Sequence, residues 1–131
     1  MWKKVFEGKI PKDKYEMLLQ NGEKQGLIIT LLSSRYNIEI DFGAVSAVRM
    51  LDEGIVLDNL FEEKQMEEFR KHGFDNVIYQ IQDGEFDEFI RKIGGELYDC
   101  LRLKHYIIIS LNYVVEIIAG FEPNINIIKK Q

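Results

Sequence analysis

The side chains able to carry chemistry in this chain are His72, His105, Cys100, Arg49 and the carboxylate pairs Glu39/Asp41 and Asp52/Glu53. His72 and His105 are the only histidines and Cys100 the only cysteine. Transition-metal sites draw on several His or Cys ligands, so this set predicts no metal centre and a fold that needs no metal. His72 falls in the last turn of an expected helix, where the helix dipole favours positive charge. His105 shares a strand face with Ile107 and Ile109 and reads as a packed imidazole with one hydrogen bond. Glu39 and Asp41 stand two apart on a strand and point the same way. Such a pair can bind a divalent ion or do acid–base work, but the simpler reading is the wet face of an amphipathic strand. Asp52 and Glu53 are adjacent at a turn and do not converge without help from elsewhere. Arg49 lies in an otherwise apolar strand close to both. It either pairs locally with one of them or faces a ligand, and the local pair is favoured. Cys100 reads as a small buried hydrophobe. Gly94-Gly95 follows a helix, whereas phosphate loops precede one, and no Gly-Lys-Ser/Thr comes after it. No catalytic residue and no cofactor is expected.

The elements that must position these groups follow from periodicity. Pro11–Gln20 is expected to be a short helix, with Tyr15, Leu18 and Leu19 at i, i+3, i+4 and Asn21-Gly22 as its stop. Leu27–Leu32 is a continuous apolar run, expected as a strand covered on both faces. Tyr36, Ile38, Ile40 and Phe42 alternate with Asn37, Glu39 and Asp41, which predicts a half-exposed antiparallel strand. Gly43 marks a bulge or bend before a third strand over residues 44–51. Residues 60–72 read as a helix stopped by Gly73, with Phe69 and Phe74 meeting across its end. Residues 75–82 read as a strand with Val77, Tyr79 and Ile81 on one face. Asp83 is placed to cap the next helix, in which Phe86, Phe89, Ile90 and Ile93 follow the spacing of one buried face. On its wet side Asp87–Arg91 and Glu88–Lys92 are i, i+4 pairs. Residues 96–103 are either a short helix or a loop. Lys104–Ser110 and Tyr113–Ala119 read as strands joined by a tight turn at Leu111-Asn112. Ile125, Ile127 and Ile128 suggest a last edge strand. Short connections favour hairpins, so the expectation is one α+β domain over residues 1–131. It should have a mostly antiparallel sheet and about three short helices on one face.

With 131 residues, 46% of them hydrophobic, the chain can bury a core without disulfides, and disordered chains are poorer in apolar residues. One cysteine excludes an internal disulfide and fits a reducing compartment. The start, Met-Trp-Lys-Lys-Val-Phe-Glu-Gly, has no apolar run behind its lysines, and Tyr106–Ala119 is too short and too polar to span a bilayer. A cytoplasmic protein with no membrane partner is therefore expected. The net charge of -5 is unevenly spread, because residues 39–99 hold sixteen acids against six bases. That balance repels nucleic acid and suits a basic partner. The basic residues are not interleaved with aromatics, so no nucleic-acid surface is expected. Asp58, Glu62, Glu63, Glu67 and Glu68 stud the expected helix over 60–72 and its approach. A helix tolerates such a strip as a solvated face, but Glu62, Glu63, Glu67 and Glu68 could also dock a basic protein.

Ile40-Asp41-Phe42, Arg49-Met-Leu-Asp52-Glu53-Gly54, the His105-Tyr106 strand, Tyr113-Val-Val-Glu-Ile and Glu122-Pro123 together resemble small proteins of Gram-positive bacteria. Several such acidic α+β proteins look like immunity proteins that neutralise polymorphic toxins. The resemblance covers about the last two-thirds of the chain and rests on strand patterns. It implies a non-catalytic protein-binding module and supplies no catalytic residues. The alternative is a small-ligand-binding domain or an enzyme whose pocket encloses Arg49, His105 or Asp52/Glu53. A structural module with an apolar face or a symmetric dimer stands third. The oligomeric state is not legible in the sequence.

Overall fold

The computed structural model describes residues 2–52 and 76–130. Alternation sets its strands. In Tyr36–Gly43 (β4), Ile38, Ile40 and Phe42 are buried and Glu39 is exposed, as the period-two pattern requires. Gly26–Leu32 (β3) pairs antiparallel with β4 and buries Leu27, Ile29 and Leu31. Its other face, with Ile28, Thr30 and Leu32, is only half-buried, so the apolar run is not covered on both sides as expected. Leu27 pairs with Gly43 but Ile28 pairs with Asp41, which leaves Phe42 as the extra residue of a bulge. Gly43 takes φ 66 there, and Gly26, next to its partner Leu27, takes φ 73. A Cβ on Gly26 would lie 2.2 Å from the Gly43 carbonyl carbon, so this crossing is open only to glycine.

The helix expected over residues 11–20 is not formed. Glu16–Gly22 (β2) is a strand that pairs with the whole of β3, from Glu16 opposite Leu32 to Gly22 opposite Gly26. Asn21-Gly22 leads into a hairpin turn rather than ending a helix. The i, i+4 spacing of Tyr15 and Leu19 was compatible with both periods, and pairing with the strongly apolar β3 decides between them. Asn124–Lys129 (β9) closes this sheet on the far side of β4, giving the order β2-β3-β4-β9 and the edge position expected for it.

A second sheet, not expected from the sequence, carries the rest. It joins Trp2–Lys4 (β1), Ile78–Ile81 (β6), Lys104–Ile109 (β7), Tyr113–Ala119 (β8) and Ala47–Asp52 (β5) in the order β1-β6-β7-β8-β5, all antiparallel. After Gly43 the chain leaves one sheet and enters the other, so β4 and β5 are sequence neighbours but not pairing partners. The two sheets face each other across the main core. Met17, Leu27, Ile29, Leu31, Ile38 and Ile40 meet Ile78, Tyr106, Ile108, Val115, Ile117 and Ala119 there. β6 is shorter than the expected strand, and Val77 packs on this core rather than beside Tyr79 and Ile81.

The other face of the five-stranded sheet is covered too. Glu85–Gly94 (α1) and Glu96–Cys100 (α2) lie on it and seat Phe86 and Tyr98 against Ile118. Layers run sheet, sheet, helices around Ile118, while Trp2, Tyr79, Ile81, Ile107 and Val114 form a separate buried cluster on the rest of that face. Among the described residues there are two helices rather than three. The helix expected over 60–72, with its Gly73 stop, lies outside the described residues. Gly84, not Asp83, is the N-cap of α1, and Asp83 sits at φ 58 in the turn before it. Only Phe86 of the expected apolar face is buried. Ile90 is half-buried, whereas Phe89 and Ile93 are 53% and 69% exposed. Asp87, expected on the wet side, is buried. Gly95 ends α1 at φ 54, as expected of a glycine stop. No described helix is long and apolar enough to cross a membrane.

Candidate functional site

Antiparallel register brings the chain's most unusual side chains together. Arg49 on β5 stands directly opposite Glu116 on β8, and Glu116 stands opposite Ile107 on β7. All three point to the helix-covered face, and His105, two residues before Ile107, lies diagonally across from Glu116. The Arg49 Nε donates to Glu116 Oε2 at 2.7 Å, and its Nη2 donates to the same oxygen. The other carboxylate oxygen, Oε1, is 2.9 Å from His105 Nε2. From above, Arg49 Nη1 reaches Glu85 of α1 at 2.9 Å. The guanidinium lies over the Phe86 ring at 4.5 Å, and that ring meets the imidazole edge-on at 5.8 Å.

Burial grades these contacts. Glu116 is 3% exposed and His105 2%, whereas the Glu85 side chain is 60% exposed. The buried Glu116 carboxylate is thus held by one strong cation and one imidazole, while the Glu85 contact is a screened surface pair. A neutral imidazole beside an ionised Glu116 donates from Nε2 to Oε1 and keeps Nδ1 as an acceptor. That Nδ1 is buried without a hydrogen-bond partner, as is Asp87 Oδ1. Gly84 closes over the ring: a Cβ there would lie 3.1 Å from Nδ1 and 2.8 Å from Ile81 Cγ2. A carboxylate–imidazole pair is the core of many acid–base devices. Here the second carboxylate oxygen is taken by Arg49, and the free ring nitrogen faces the backbone of the helix start. The arrangement clamps α1 to the five-stranded sheet.

The expected local pair of Arg49 with Asp52 or Glu53 is thereby replaced by partners from β8 and α1, sixty-seven residues away in the case of Glu116. Asp52 is exposed at the end of β5, and Glu53 lies outside the described residues. His105 has the packed setting and the single hydrogen bond expected of it. Cys100 is exposed, not buried, because it ends α2 on the side away from the sheet. Glu39 is exposed and Asp41 accepts the Gly43 N–H at 2.9 Å, so the two do not converge as ligands. No cluster of three or more potential metal ligands occurs among the described residues. His72, Glu62, Glu63, Glu67 and Glu68 lie outside them. Sequence reasoning missed the role of Glu116, although a lone acid within the apolar run Tyr113–Ala119 was the available signal.

Two surfaces complete the inventory. An open apolar groove of about 300 Å³ runs between α1, α2 and the start of β5, lined by Ser46, Ile90, Ile93, Leu97, Leu101 and Leu103 among others. On the opposite side of the molecule, the outer face of the four-stranded sheet carries no helix among the described residues. Register aligns Leu18, Thr30, Glu39 and Asn126 in one row, Gln20, Ile28, Asp41 and Asn124 in the next, and Glu16, Leu32, Asn37 and Ile128 in a third. This face holds Glu16, Glu39 and Asp41, and those rows contain no lysine or arginine. Leu18 near its edge is 56% exposed. Comparison with protein-family models, with curated proteins and with solved structures gives no match.

Proposed function

We propose that this chain is a non-catalytic, cytoplasmic protein-binding module that recognises a basic protein, as an immunity protein neutralising a toxin domain would. The observation that carries this reading is the outer face of the four-stranded sheet, which carries no helix among the described residues and combines Glu16, Glu39 and Asp41 with the exposed Leu18 and Ile128. A sheet surface of that composition offers apolar contact area beside three carboxylates, with Arg35 and Lys130 at one end of it. The excess of acids over bases in residues 39–99 points the same way and brings Glu62, Glu63, Glu67 and Glu68 into the same reading as a second acidic strip.

The test is to isolate the partner by pull-down from the native host and follow association by stopped flow. Glu16→Lys with Glu39→Lys should slow association about tenfold and flatten its salt dependence, because steering acts mainly on the on-rate. Reversal of Glu62, Glu63, Glu67 and Glu68 to lysine should act in the same direction. If neither set changes the rate, the acidic faces are only solvated surfaces and the reading fails. A small-ligand or enzymatic role is the second reading, favoured by the buried, unpartnered His105 Nδ1 and Asp87 Oδ1. A rise in melting temperature with a small molecule, and no protein partner, would select it.

A further inference from the structure

We propose that β9 is a dimerisation edge, to which a second copy of this chain adds its own β9 antiparallel, joining the two four-stranded sheets into one. The proposal is independent of the basic-partner reading, since Glu16, Glu39 and Asp41 stay open on the outer face of the joined sheet.

β9 pairs with β4 on one side, and among the described residues no strand pairs with it on the other. It is six residues long, and Ile127 and Ile128 are 41% and 61% exposed. Edges that stay single are usually blunted by inward charges, proline or a bulge. β9 has no proline or bulge within its length; Pro123 precedes it, and its one charged residue, Lys129, stands at the last position on the same face as Ile125 and Ile127.

The hydrogen-bonding phase of the strand shows which groups are on offer. Lys130 N–H donates to the Arg35 carbonyl at 2.8 Å, so the backbone of Lys130 points toward the β4 side. Backbone groups alternate sides along a strand, so Asn124, Asn126 and Ile128 also bond toward β4. The N–H and C=O groups of Ile125, Ile127 and Lys129 point to the open edge.

Register then follows from the pleat. Residues paired across an antiparallel ladder must point to the same face, or every side chain of the added strand would be inverted. A pairing centred on Asn126 satisfies this. It sets Ile125 opposite Ile127 of the second copy, and Ile127 opposite Ile125, all on the core side and all with their backbone groups facing outward. Each such couple exchanges both backbone hydrogen bonds. Asn126 meets its own counterpart on the outer face. Just beyond the strand ends, the same register carries Lys130 opposite Glu122 of the second copy, both exposed in the single chain. The neighbouring permitted register, centred on Ile127, sets Lys129 against Ile125 and loses that charge match. A symmetric edge that pairs its own isoleucines and opposes its own end charges fits a second copy of itself.

The experiment is light scattering and sedimentation equilibrium of the full chain over a wide dilution range. The wild type should reach twice the monomer mass at high concentration and dissociate on dilution. Ile127→Pro removes an N–H that makes no bond to β4, so it should give a folded monomer. Ile128→Pro removes an N–H that faces β4 and should loosen the fold itself. Register is read by cross-linking in a Cys100→Ser background. Asn126→Cys should oxidise to a disulfide-linked dimer, because its Cα lies directly across from its counterpart. Asn124→Cys, displaced by several residues from its own copy, should not. A wild type that stays monomeric at every concentration overturns the proposal. So does a dimer that survives Ile127→Pro, or efficient cross-linking of Asn124→Cys without that of Asn126→Cys. If Ile127→Pro does not fold, the cross-linking pair alone decides.

Discussion

Replacing Arg49 with methionine tests whether the Arg49–Glu116–His105 cluster stabilises the fold as a buried charge pair. Methionine keeps most of the length and the contact with Phe86 but withdraws the donors that reach Glu116 Oε2. Glu116, at 3% exposure, would then be a buried carboxylate supported by His105 alone. Breaking a buried pair from one side costs about 3–5 kcal/mol when both partners are fully buried. The Arg49 side chain is 22% exposed, so water can partly compensate, and the lower range of about 2–3 kcal/mol is expected. For a domain of this size that is a fall of about 10 °C in Tm. Glu116→Gln alone keeps an acceptor for Arg49 and a partner for His105 and should cost about 1–2 kcal/mol. The sign of the coupling is the decisive measurement. In the double variant the uncompensated charge is gone, so it should be more stable than Arg49→Met by about 1 kcal/mol rather than less stable. Urea unfolding of the four proteins gives the cycle. A loss below about 1 kcal/mol for Arg49→Met, or strictly additive losses, would refute the buried pair.

Alkali should unfold the protein through its buried tyrosines. Burial pushes the Tyr15 hydroxyl up to about 12, and burial, helped by Glu122, raises Tyr106 as well. A raised folded value means the stabilisation is complete below the ordinary value of 10.0 and is lost as pH rises through about 12. Tyr15→Phe should therefore lose the hydrogen bond to the Pro11 carbonyl at neutral pH yet flatten the alkaline limb, which melts between pH 8 and 12 would record. Gly26→Ala should be the costlier glycine change, well above the roughly 1–3 kcal/mol of left-handed strain, because its Cβ meets Gly43 backbone. Gly43→Ala meets no atom within 4 Å and should cost the strain alone, so comparable unfolding midpoints for the two would contradict the crossing. Phe86→Ala should cost about 3–5 kcal/mol and Phe89→Ala less than about 1 kcal/mol, and equal losses would show that α1 is seated differently.

Local pattern determined most of the strands. The alternation in Tyr36–Phe42, the hairpin at Leu111-Asn112, the bend at Gly43, the glycine stop at Gly95 and the edge character of Ile125–Ile128 depend on neighbours in sequence, and each is present in the structure. The α+β class follows from the same periodicities. The helix expected over 11–20 failed because Tyr15 and Leu19 suit either period, and pairing with β3 makes the strand the better use of them, leaving Leu18 exposed on the other face. Exposed Phe89 and Ile93 show the converse: a correct helix with an apolar face does not reveal how much of that face finds a partner. The site was half legible. His105 could be read as packed and Arg49 as paired, but not Glu116 as the partner of both, since sequence proximity offered Asp52 and Glu53 instead. That choice belonged to tertiary structure. A charge in a strand is answered by whatever the ladder sets across from it, and the register linking β5, β7 and β8 is fixed by core packing over the whole sheet rather than by any residue near Arg49.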